Sequence, residues 1–190
     1  MTISELEPLR EEILSLDSLA GHARELAAQQ RTGPAGRPDR RLLGELAQAR
    51  EELEAAYHDL QQVAAGKRDL VPAEEWLLDN FYIVEEQLRE IVEDLPVSYL
   101  AELPRLADGR LAGRPRVYAI AVDFIAHTDA RLDRENLVRY VEGYQEIAAL
   151  TIGELWAIPI MLRLALVENL RRLARQERAA REQRDRADAW

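Results

Sequence analysis

The chain has 190 residues, a formal net charge of −10, no cysteine, and 24 arginines against one lysine, Lys67. Its length suits one helical domain with or without flanking arms. The lack of cysteine excludes disulfides and thiolate metal sites, and the acidic balance excludes a chain-wide field for nucleic acid. The charge is nevertheless segregated: Arg163 to Trp190 carries eight arginines and five acids, a net of +3, which leaves −13 on residues 1–162. The acidic N-terminus lacks the basic-then-apolar layout of a signal peptide. The most apolar run, Leu155 to Val167, is shorter than the ~20 residues of a bilayer crossing and contains Arg163, so a soluble chain is expected.

Ser4 with Glu7 forms a capping box ahead of Leu6, Leu9, Ile13 and Leu16, which predicts a first helix. Ser18 is expected to start a second, with Leu19, Ala23 and Leu26 on one side. The glycines and prolines of Thr32 to Pro38 predict a loop. Asp39 then caps a helix carrying Leu46, Ala49, Leu53, Ala56 or Tyr57, Leu60 and Ala64, with Gly66 as its stop. Pro72 suits the first turn of the next helix, whose seam is Leu77, Phe81, Val84, Leu88, Ile91 and Leu95. The two seams match in period and length, and the connection is short, so they pair as an antiparallel hairpin. A turn or two of helix is expected near Val97 to Leu103, followed by irregular chain to Arg114. Helices then resume over Val117 to Ala126 and after Asp133, the latter with Leu137, Val141, Tyr144 and Ala148 on one face. AIAVDFIA also has strand character, but a lone strand has nothing to pair with.

From Thr151 to Ala174 the pattern is strongest. Thr151 and Glu154 form a capping box, and Leu155, Ile158, Leu162, Leu166, Leu170 and Leu173 recur in steps of three and four. Ile160, Met161, Leu164, Ala165 and Val167 spread the apolar surface over most of the circumference, as in a buried helix against which the others pack. Pro159 should bend it. Beyond Leu173 apolar residues nearly vanish, which predicts a charged helical arm fraying in water toward Trp190. The fold class is therefore all-α: a helical bundle with a long antiparallel hairpin and a long, kinked, arginine-rich C-terminal helix. Residues 1–37 are expected to form short N-terminal helices and a loop, 38–174 the bundle, and 175–190 the charged tail.

No catalytic, cofactor-binding or metal-binding residue is assigned. His127, Asp129 and Asp133 match no metal spacing, and ordinary helix-end hydrogen bonding is the better account of them. His22 and His58 read as isolated surface histidines. Glu51-Glu52, Glu74-Glu75 and Glu85-Glu86 read as solvated helix faces and not as acid–base pairs. Phosphate-cradling glycine loops and a nucleophile elbow are absent. Aromatics such as Trp76 and Trp156 could stack on sugars, but at helical spacing core packing is the more common role.

Three stretches resemble one family. PAEEWLLDNFYIVEEQLREI (Pro72 to Ile91), ELPRLADGRLAGRPRVYAIA with HTDARLD (Glu102 to Asp133), and YQEIAALTIGELWAIPIMLRLALVENLRRLA (Tyr144 to Ala174) are similar to the N-terminal region of cyclic β-1,2-glucan synthases. These are large bacterial inner-membrane proteins with a glycosyltransferase region and a phosphorylase-like region. The transferase's D-x-D and Q-x-x-R-W motifs have no match here, so the resemblance carries over no catalytic residue. It implies a non-catalytic cytoplasmic domain that scaffolds or regulates the transferase. The implied partners are the transferase and membrane regions of a parent polypeptide, with an anionic lipid surface as a further contact. The expected interaction surface is Trp156 with Arg171, Arg172, Arg175 and Arg178. A helical pattern still running at Trp190 fits a piece of a longer chain. The rival readings are a free-standing helical protein-interaction module and, more remotely, a small enzyme.

Overall fold

A computed structural model describes residues 11–36, 39–66 and 69–188, so the helix expected around Ser4 and Glu7 lies largely outside the described residues. The all-α expectation holds. In chain order the elements are α1 (Leu16–Gln29), β1 (Thr32–Gly33), α2 (Arg40–Ala65), α3 (Pro72–Asp94), α4 (Val97–Glu102), β2 (Arg105–Leu106), α5 (Arg116–His127), α6 (Arg134–Ile147) and α7 (Ile152–Asp188).

Several boundaries follow from the caps read in the sequence. The Asp39 carboxylate accepts from the Leu42 amide and starts α2, and Gly66 ends it. Pro72 opens α3, while Asp133 accepts from two amides at the start of α6. The first described helix differs. Ser15, not Ser18, is its cap, and residues 11–15 are not helical. That segment has another use: the Glu11 and Leu14 amides donate to the Ala126 and His127 carbonyls, which α5 leaves unpaired at its end.

Two predicted loops are not wholly irregular. β1 and β2 pair antiparallel, Thr32 opposite Leu106 and Gly33 opposite Arg105. The sequence gives no strand period over two residues, so this pairing was not legible. Gly109 and Gly113 both adopt φ of +81°, a left-handed turn that returns the chain from β2 to Pro115.

The hairpin is as expected. Leu46, Ala49, Leu53 and Leu60 of α2 are buried together with Leu77, Phe81, Val84, Leu88 and Ile91 of α3, and Tyr57 stacks on Phe81 with ring centroids 4.3 Å apart. Ala64 falls beyond the seam and is exposed. α7 packs along α2, α3 and α5, and it runs as helix through Pro159, which lies on its exposed side. It is not the partner of every helix. α1 packs chiefly on α6, through Leu19 and Ala23 on one side and Tyr140 and Tyr144 on the other. Tyr140 is fully buried although it was not among the face residues read for α6. Its hydroxyl finds a partner in Asp123, which is what permits burial.

Candidate interaction surface

The capping box at the start of α7 forms: the Thr151 amide donates to Glu154 and the Glu154 amide donates to Thr151 Oγ1. Glu154 is fully buried and has a second function. Arg116 at the start of α5 reaches it with both Nε, at 2.8 Å, and a terminal nitrogen, at 2.6 Å. That bidentate pair fixes the α5–α7 crossing. The Arg116 guanidinium also lies over the Tyr144 ring. Burial pushes the Tyr144 hydroxyl up to about 12, against the lowering effect of Arg116.

Further along α7 the arginines meet acids of the hairpin. Arg163 pairs with Glu90 and Asp94 of α3, Arg171 and Arg175 with Glu52 of α2, Arg178 with Asp59 of α2, and Arg181 with Glu74 of α3. The numbers rise together on α7 and α2 and in opposite senses on α7 and α3. Hence α7 lies in the groove of the hairpin, parallel to one arm and antiparallel to the other. Burial raises the Glu52 carboxyl, but the Arg175 hydrogen bond and the Arg171 charge outweigh it and hold it below its ordinary value.

This arrangement corrects the expectation of an arm projecting into water. The helix packs at least to Arg181, whose partner Glu74 is buried and also accepts from the Val71 amide. The expected surface residues are also not one patch. Arg171 and Arg172 are each only 7% exposed and are held by Glu168 on their own helix. Arg175 is half-buried and Arg178 exposed. Trp156 is 77% exposed, and at 1.5 Å per residue it stands about 22 Å along the helix from Arg171.

Along α7, among the described residues, two apolar features are open to solvent. One turn before Trp156, Ile152 is 73% exposed on the same face. Near the other end, Leu60, Trp76, Leu77, Leu170 and Leu173 line a cleft of about 360 Å³ between α2, α3 and α7, with Arg178 and Arg181 among its charged walls. Trp156 was named from the sequence, whereas the cleft was not legible as a site, because Leu60, Leu77, Leu170 and Leu173 are residues whose spacing serves the seams.

His127, Asp129 and Asp133 do not converge. Asp133 is engaged as the α6 cap, and Asp129 occupies a left-handed turn at φ 52°. His22, read as isolated, instead sits 2.9 Å from Asp123, with His127 beside it.

No protein-family model matches the chain. Over 120 residues, 63% of this chain, it is 43% identical to the cyclic beta-(1,2)-glucan synthase NdvB of Rhizobium meliloti strain 1021. The chain contains a region related to cyclic β-1,2-glucan synthases. The matched stretch is 4% of that enzyme's length. No helix among the described residues is long and apolar enough to cross a membrane.

Proposed function

We propose that the chain is a non-catalytic helical domain of a cyclic β-1,2-glucan synthase-like glycosyltransferase, held on the cytoplasmic side of the membrane, where it scaffolds the transferase region. The observation that carries this reading is the 43% identity to a short stretch of a very much longer synthase. The exposed Ile152 and Trp156 on the helix with the most extensive packing support it, since a large aromatic on a rigid support is a common anchor of protein interfaces. Attraction to anionic lipid is a lesser element of the reading, because Arg175, Arg178 and Arg181 already have carboxylate partners within the chain.

The test is the double substitution Ile152→Ser and Trp156→Ser in a synthase polypeptide carrying this segment. Both side chains face solvent, so the 190-residue chain with the same changes should keep its melting temperature. Glucan production by the full polypeptide should fall several-fold. Undiminished production would remove Trp156 from the contact. Turnover of uridine diphosphate glucose by the purified 190-residue chain would overturn the non-catalytic assignment.

A further inference from the structure

A second cluster lies away from the α7 surface, where α1 meets the C-terminal end of α5. His22, Asp123 and His127 each place one ligand-type atom within 4.8 Å of the other two. Asp123 and His127 are four residues apart on α5 and therefore share a face, while α1 brings in His22. The two imidazole rings are 4.2 Å apart between centroids. Asp123 Oδ2 accepts from the Tyr140 hydroxyl and lies 2.9 Å from His22 Nε2. Its other oxygen, Oδ1, lies 3.8 Å from His127 Nε2.

His127 holds the stronger clue. It is 5% exposed, and its Nδ1 is 2.8 Å from the carbonyl oxygen of Glu12. A carbonyl only accepts, so Nδ1 carries the hydrogen, and Nε2 is the nitrogen left to offer a lone pair. Nε2 is buried and makes no hydrogen bond, although Glu11 Oε2 is 3.3 Å away and Asp123 Oδ1 is 3.8 Å away. A lone pair facing two carboxylates is repulsive, and a cation placed among the three, a proton or a metal ion, reverses the sign. An imidazole that donates one N–H to a backbone carbonyl and offers the other nitrogen is also the usual arrangement of a metal-bound histidine.

We propose that His22, Asp123 and His127 bind a first-row divalent cation of the zinc class, with Glu11 closing a four-coordinate shell. Two imidazole nitrogens and two carboxylate oxygens suit that class, and bonds of ~2.0–2.1 Å in a tetrahedron separate ligand atoms by roughly 3.3 Å. Between atoms of this shell, His127 Nε2 stands 3.3 Å from Glu11 Oε2 and 3.8 Å from Asp123 Oδ1, at and somewhat above that value. His22 coordinates through Nε2, so that nitrogen gives up any hydrogen it carries as the metal enters. Tyr140 keeps its hydrogen bond to Asp123 Oδ2 and orients the carboxylate, whose Oδ1 takes the metal. The bound ion ties residue 11, α1 and α5 together.

The test uses the full 190-residue chain, stripped with a chelator and then titrated with Zn²⁺ and Co²⁺. The expected result is one equivalent of zinc retained through gel filtration, visible d–d bands with cobalt, and a melting temperature raised by zinc. His22→Gln, at the more accessible side of the cluster, should abolish the cobalt bands and the zinc-induced rise. Glu11→Gln, at an exposed position, should weaken zinc binding about tenfold and leave the metal-free melting temperature unchanged. The second variant keeps the proposal testable if the first unfolds. Failure of the parent chain to retain zinc would reduce the cluster to a histidine–carboxylate ion pair and overturn the proposal. Binding that is unchanged in both variants would also overturn it, by placing the ion elsewhere on the acidic surface.

Discussion

Gly143 shows how a single residue governs one helix crossing. A Cβ built on it would come within 2.7 Å of the Ala20 carbonyl oxygen and 3.1 Å of the Ala20 Cα, both backbone atoms of α1. Backbone cannot rotate away as a side chain end can, so α1 and α6 approach closely only because position 143 lacks a side chain. Gly143→Ala would ordinarily favour a helix interior by up to ~1 kcal/mol. Here the clash outweighs that preference, and a net loss of about 1–3 kcal/mol is expected. Urea unfolding should show a lower midpoint with an unchanged slope. A midpoint equal to that of the parent chain would mean that α1 is free to slide away from α6. The same contact explains the burial of Tyr140 and Tyr144, which flank the glycine.

Among the elements, α7 is where charge and packing depend on each other most. Past Leu173 its surface is too polar to bury for hydrophobic reasons, yet the hairpin presents Glu52, Asp59 and Glu74 along the same line. Exposed pairs such as Arg178 with Asp59 contribute little, ~0–1 kcal/mol each. Glu74 differs because it is buried, and removal of one member of a buried pair leaves a charge that water cannot reach. A chain ending at Ala174 should therefore melt several degrees lower than the parent. Arg181→Gln alone should reproduce a large part of that drop, and restoring Lys at 181 should recover some of it. If the truncated chain melts with the parent, α7 beyond Ala174 contributes nothing to the bundle.

For the molecule as a whole, the ladder joins an acidic hairpin to a basic helix and turns charge segregation along the chain into internal pairing. Its pH dependence has a definite sign. Glu52 has its carboxyl held below the ordinary value in the folded chain, so its contribution is present above the usual glutamate pKa of about 4.3 and is lost as pH falls toward the lower folded value. Glu146 shifts in the same direction through its hydrogen bond with Arg24, but on an exposed surface. Acidification toward the pI of about 4.9 also relieves repulsion from the net charge of −10, so stability should hold or rise slightly before it drops below about pH 4. In Glu52→Gln that acid-limb fall should be shallower, as read from urea midpoints across pH. Superimposable pH profiles would show that Glu52 takes no part in the coupling.

Periodicity and caps determined most of the helices: Asp39, Asp133 and Thr151 set their starts through hydrogen bonds that span three residues or fewer, Pro72 through its fixed φ and missing N–H, and the seams of α2 and α3 are spaced at intervals that only a helix brings onto one face. Such signals are local, and local interactions are what a linear pattern records. Three features lay beyond it. The two-residue strands are too short to carry a period. The path of α7 beyond Leu173 depended on acids more than a hundred residues earlier, which looked like solvated faces because a carboxylate's partner is invisible in its own segment. His22 and His127 are separated by 105 positions, and only the close packing of α1, α5 and α6 around Asp123 brings them together.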